Sequence, residues 1–220
     1  MAGPALQTGA IPDLGFAVQG AEAVRHAAAP TLAFALRVER SGGGAVRAIL
    51  LDVQVQIAAR RRRYDAGEQE RLFELFGPPH GWSTALRTLL WTRTTVVVPP
   101  FDDVTVVDVP VACTYDLEVA ASRYFDALDE GEVPLEFLFS GSVFYSGPGG
   151  AFQTARLSLE QEASYRLPVA VWKETMDRHF PGSAWLRLPR ESYDRLRDYR
   201  SRHGHASWEQ AVDALLEGRE

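Results

Sequence analysis

The chain has 220 residues, 46% of them apolar and 24% charged, which is enough for a buried core and too apolar for a disordered chain. Its single cysteine, Cys113, excludes a disulfide framework and a cysteine-rich zinc module. A formal net charge of −6 repels phosphate backbones and disfavours nucleic acid as a partner, and no apolar run reaches the roughly 18 residues that a membrane span needs.

Residues 1–12 read as a flexible tail. No basic residue precedes Arg25 and no apolar core of signal-peptide length is present, which predicts a cytoplasmic protein. A short strand is expected near Phe16 and Val18. Period-two alternation then marks a strand over 31–39, with Leu32, Phe34, Leu36 and Val38 on one face. Ser41, Gly42, Gly43 and Gly44 form a hairpin-type loop before a second alternating run through Leu51, Val53, Val55 and Ile57. The cluster Ile49, Leu50 and Leu51 shifts the phase and predicts a bulge near the strand start. Asp65 and Glu68 stand at capping-box spacing ahead of a helix carrying Leu72, Leu75 and Phe76, which Gly77-Pro78-Pro79 ends.

Strands follow over 91–98, 104–109 and 111–119, then a short helix from Ala120 with Tyr124, Phe125 and Leu128 on one face. A long apolar strand over 135–145 is expected to be central. The turn 147–150 returns the chain through one strand over 152–165. Pro168 and Pro189 suit the first turns of helices, and Ser207 and Gln210 form a capping box for a last one. The whole is predicted to be mainly β with α: an antiparallel two-sheet β-sandwich of about seven or eight strands with a C-terminal helical segment packed on it. The expected organisation is the tail 1–12, a sandwich domain 13–167 with inserted short helices, and helices 168–220 packed on the same domain.

The polar feature that stands out is Arg60-Arg61-Arg62-Arg63 with Tyr64. It reads as a solvated cluster that ends a strand, or as a docking patch in which guanidinium forks meet carboxylates or phosphates. Trp82, in a Pro-Pro-His-Gly-Trp loop, is the candidate for an exposed aromatic anchor beside core packing. Arg60, Arg61, Arg62, Arg63, Tyr64 and Trp82 are therefore the expected partner-binding residues.

No catalytic residue, metal ligand or cofactor is assigned. Cys113 sits in the inward phase of a strand. Ser140-Gly141-Ser142 lies within a strand rather than at a nucleophile elbow. His203 and His205 lack the further ligands that a metal site needs. Asp126, Asp129, Glu130 and Glu132 lack the ligand pattern of a calcium loop. The alternatives are an enzyme acting on a small molecule or glycan, its site assembled from distant His and carboxylate groups, and a metal-handling protein.

Several segments together carry a resemblance. They are Arg62-Arg63-Tyr64, Leu75-Phe76-Gly77, Cys113-Thr114-Tyr115-Asp116 and Phe139-Ser140-Gly141. Leu167-Pro168-Val169-Ala170-Val171-Trp172 and Phe180-Pro181-Gly182-Ser183-Ala184-Trp185-Leu186 belong with them. The set resembles an uncharacterised actinobacterial family, a domain of unknown function whose genes lie beside those of a nickel–iron hydrogenase of the type that scavenges atmospheric hydrogen. The resemblance implies a non-catalytic accessory role in hydrogenase assembly, maturation or stability. The implied partner is a hydrogenase subunit or its maturation machinery. The motifs carry no catalytic residues across.

Overall fold

In a computed structural model of the chain, residues 10–114, 116, 119–158, 161–183 and 187–218 are described. The first strand, β1 (Asp13–Ala23), pairs antiparallel with β2 (Thr31–Gly42). The chain then crosses to a second sheet with β3 (Val46–Ile57). Two short helices follow, α1 (Ala66–Arg71) and α2 (Phe73–Phe76), meeting at Leu72 where one helix was expected. A single helical turn, α3 (Trp82–Ala85), leads to β4 (Leu89–Val98), which pairs with β3. β5 (Val104–Ala112) returns to the first sheet beside β2. After α4 (Ala120–Asp126) comes the longest strand, β6 (Glu132–Ser146), on the other side of β3. β7 (Phe152–Arg156) and β8 (Glu162–Pro168) both pair with β6, and α5 (Val169–His179) follows directly.

The result is two antiparallel sheets, β1-β2-β5 and β4-β3-β6 with β7 and β8 beyond β6. The expected β-sandwich of seven or eight strands is what forms. Its interior is made by the alternating sets already visible in the sequence. Leu32, Phe34, Leu36 and Val38 of β2 face Ile49, Leu51, Val53, Val55 and Ile57 of β3 and the inward residues of β6. Phe34 and Phe137 meet edge to face with ring centroids 5.1 Å apart. α5 packs on this body: Val169 and Met176 are buried and Trp172 stacks on Phe125 at 5.2 Å.

Local expectations needed correction at three further places. The 41–44 loop is not a hairpin, because β2 and β3 belong to different sheets. Gly43 has φ +76°, and a Cβ there would run into the Ile11 backbone; a Cβ on Gly44 would run into the Ser146 carbonyl. The crossing therefore needs both glycines. The bulge expected near the start of the second alternating run is present: β3 shifts register against β6 between Val46 and Ala48, which turns Leu50 outward, and a second shift, against β4, lies at Val55/Gln56. Residues 104–112 form one strand through Pro110, which is tolerated because β5 pairs on one side only. Beyond it, Cys113, Thr114, Asp116 and Val119 are not strand, and Tyr115, Leu117 and Glu118 lie outside the described residues.

The return over 152–165 is two strands rather than one. β7 pairs with the end of β6 and β8 with its beginning. Between the two, Leu157 N–H donates to the Gly141 carbonyl at 3.1 Å and Phe139 N–H to the Gln161 carbonyl at 2.9 Å. Leu159 and Glu160, also assigned to that strand, lie outside the described residues.

The chain divides into two compact units, Met1–Ala184 and Trp185–Glu220. The second holds α6 (Arg190–Arg202) and α7 (Trp208–Glu217). Ser207 Oγ accepts from Gln210 N–H at 3.2 Å, as the predicted capping box requires, while Gln210 Oε1 accepts from Ala206 N–H at 2.9 Å, one residue before the cap, rather than from Ser207 N–H. Arg200 lies over the Trp208 ring, 4.1 Å from its centroid.

Candidate functional site

The arginine run begins where β3 ends. Residues 59–61 form one 3₁₀ turn, and Asp65 opens α1 by accepting from Glu68 N–H at 2.9 Å. Only half of the expected capping box exists. The Glu68 side chain does not reach back to the cap. It is 3% exposed and takes the Arg62 guanidinium in two parallel bonds, Nη1–Oε2 at 2.6 Å and Nη2–Oε1 at 2.8 Å. Arg62 also donates to the Glu130 carbonyl at 2.6 Å and the Glu132 carbonyl at 3.2 Å. Burial opposes its charge, but the hydrogen bonds and charge of Glu68 outweigh that, and its pKa is raised. Arg71 adds a bond to the Ala127 carbonyl at 2.9 Å and an ion pair with Asp129 at 2.5 Å. These contacts fasten α1 to the segment between α4 and β6.

Tyr64 is built in as well. Its hydroxyl donates to the Ala59 carbonyl at 2.6 Å, so the 2.7 Å bond to Tyr124 must be donated by Tyr124. Burial pushes the Tyr64 phenol up to about 12. Burial also moves Tyr124 well above the ordinary phenol range, and the neighbouring Tyr64 adds to the shift. The Tyr64 ring meets Trp82 edge on at 5.3 Å and lies under the Arg62 guanidinium at 5.1 Å.

Trp82 is a core residue and not an exposed anchor. It is 7% exposed and its indole N–H donates to the Gly77 carbonyl at 2.8 Å. Arg61 pairs with Glu136 at 2.8 Å. Arg60 and Arg63 are exposed and make no ion pair among the described residues. The six expected residues thus separate: Arg62, Tyr64 and Trp82 hold the fold, Arg61 bridges to β6, and Arg60 and Arg63 face solvent.

The Cys113 thiol is buried, and burial pushes its pKa up to about 12 against a backbone bond from Leu32. That holds the sulfur protonated and unreactive at neutral pH. His179 contacts the Thr175 and Ala27 carbonyls, while His26 and His80 are exposed. His203 and His205 stack at 6.0 Å, and among the described residues no group of three or more His, Cys, Asp or Glu side chains is placed to hold a metal. Asp129 and Glu130 line an open depression of ≈ 660 Å³ with Lys173, Glu174, Asp177 and Arg178, in which Glu174 and Arg178 pair with each other.

A surface that the sequence reading missed lies on the outer face of the second sheet. Val97 and Leu50 are register partners there, 65% and 45% exposed. In the neighbouring rows Phe144 and Phe152 stack at 5.7 Å, and Phe152 is 70% exposed. Arg156, in register with Ser142, and Arg47, which donates to Ser146 Oγ at 2.7 Å, border the patch. Neither makes an ion pair among the described residues. Outward Leu50 in an otherwise polar outward set (Asp52, Gln54, Gln56) was the available signal.

Fold and surface together define a β-sandwich protein whose marked polar side chains serve mainly to hold it together. Residues 11–220 match the family of unknown function DUF6084, and the chain belongs to that family. Among curated proteins none matches it in sequence. Among solved structures it is similar to the CARDB domain of the PF1109 protein from Pyrococcus furiosus, in complex with di-metal ions. That likeness has 14% identity and a TM-score of 0.28 over 71% of this chain and 91% of that one. It is also similar to a β-glucosidase from Kluyveromyces marxianus, at 8% identity and TM-score 0.26, covering 70% of this chain and 15% of the other. For β-glucosidase 3B from Thermotoga neapolitana, in complex with α-D-glucose, the figures are 13% and 0.25, covering 70% and 17%. The chain spans only a small part of each glucosidase, and no activity or ligand passes to it from likenesses at this level.

Proposed function

We propose that the protein is a non-catalytic binding protein that docks a protein partner on the outer face of its second sheet. The observation that carries this reading is the apolar patch of exposed Leu50, Val97 and Phe152 with half-buried Phe144, on a sheet whose other face already forms the core. Large exposed apolar side chains gathered in one place mark contact surfaces. Arg47 and Arg156 at its border, without an ion pair among the described residues, favour a partner whose own apolar surface is rimmed by carboxylates. Arg60 and Arg63, exposed beyond the far end of β3, form a separate basic surface.

The partner proposed is a subunit of a nickel–iron hydrogenase or of its maturation machinery, in the cytoplasm of an actinobacterium. The segments that resemble the actinobacterial family support this choice. The test is a photo-crosslinking amino acid placed at position 97, 152 or 22 in cells that express the hydrogenase genes. Positions 97 and 152 should give an adduct with one hydrogenase-derived protein, and position 22, exposed on the other sheet, should give none. Phe152→Ser should abolish the adduct at 97. No adduct at either position, or equal labelling from position 22, overturns the proposal.

A further inference from the structure

The described residues of the C-terminal unit form two helices, α6 and α7. α7 buries Ala211, but Trp208, Val212, Leu215 and Leu216 recur at i, i+4, i+7 and i+8 and stay exposed; Leu216 is 66% exposed. Such a stripe on a soluble helix is a buried face that lacks its partner. Along α6, Leu188, Leu196 and Tyr199 form with Leu215 the apolar lining of a groove of ≈ 460 Å³. Arg195 and Arg202 also line it, no carboxylate does, and neither arginine makes an ion pair among the described residues. α7 carries the complementary charges: Glu209, Asp213 and Glu217, exposed at i, i+4 and i+8, with no basic residue between Trp208 and Glu217.

One surface therefore holds both a basic-rimmed apolar groove and an acid-flanked apolar stripe. That is the self-complementarity a two-fold interface requires, since each copy must offer both halves. We infer that two copies of this chain associate through α6 and α7, the α7 stripe of each seated in the other's groove, to form a four-helix bundle. Four amphipathic helices close a core that two cannot. This inference stands apart from the docking surface on the sheet and does not depend on it.

The test is sedimentation equilibrium of the full chain at micromolar concentration. The wild type should be a dimer, and Leu216→Gln should weaken association about tenfold or more, as loss of a central apolar anchor does. The double variants R195E/R202E and E209K/D213K should each be monomeric alone and should dimerise when mixed, because only the mixed pair restores opposite charges in both grooves. Circular dichroism checks that each variant keeps its helices, and complementation on mixing is a readout that a misfolded variant would not give. A monomeric wild type, a dimer unaffected by Leu216→Gln, or variants that do not complement would each overturn the inference.

Discussion

Arg62 and Glu68 show what a single pair of side chains does here. Both are almost fully withdrawn from water, with side-chain exposures of 10% and 4%. A buried pair gains little over an apolar pair of the same shape, yet removing one partner strands a charge. Glu68→Gln should therefore destabilise the fold by about 3 kcal/mol, read as a lower urea midpoint. Replacing both, as Arg62→Met with Glu68→Leu, should recover most of that loss. A single variant within about 0.5 kcal/mol of wild type, the range of ordinary surface changes, would show that the pair does not hold α1. The same reasoning applies to the protons held by Cys113 and Tyr64, both pushed up to about 12 by burial. In the unfolded chain these groups titrate near 8.5 and 10. As pH rises the unfolded state loses its protons first, so stability is fully present below about pH 8.5 and declines as pH climbs toward 12. The urea midpoint should be flat near neutrality and fall from about pH 9 upward. Cys113→Ala should remove the earliest part of that fall, and an identical profile in the variant would disprove the assignment.

At the scale of elements, β6 is the piece on which the second sheet depends. It pairs with β3 along one side and with β8 and then β7 along the other. The exchange happens at Gly141, whose φ is +141° and whose missing Cβ leaves room for the Leu50 carbonyl. Gly141→Ala combines a backbone conformation that L-residues rarely adopt with overlap on a neighbouring strand. It should cost about 3 kcal/mol or more, seen as a lowered melting temperature. A variant as stable as wild type would mean that β6 can relax at that point. Glycine was visible in the sequence, but a reading from alternation took Ser140-Gly141-Ser142 as ordinary strand. Its requirement comes from Leu50, which is remote in the chain. The break between β7 and β8 was hidden for the same reason, since both runs continue one alternation. The caps at Asp65 and Ser207 were legible because donor and acceptor lie within three residues.

For the molecule as a whole, a net charge of −6 conceals an uneven distribution. Carboxylates flank α7, while arginines without an ion pair among the described residues stand along α6, beside the outer patch and at the end of β3. Of the six partner-binding residues chosen from sequence, Arg62, Tyr64 and Trp82 turned inward. Arg62 could not be separated from Arg60 and Arg63 by sequence, because its partners, Glu68 and the carbonyls of Glu130 and Glu132, converge only once β3, α1 and β6 are assembled. The outer apolar patch escaped notice for a related reason. Leu50, Val97, Phe144 and Phe152 lie on four strands, and only the register sets them side by side.

Alternation of side chains was sufficient for the sandwich and its inward residues, and Gly-Pro stops and capping spacings for the helix ends, because these depend on neighbours a few residues away. Which sheet each strand joins, which arginine is buried, and where apolar groups gather on the outside were settled only by tertiary packing. They depend on contacts between distant segments, and no local pattern encodes which of many equivalent residues will meet.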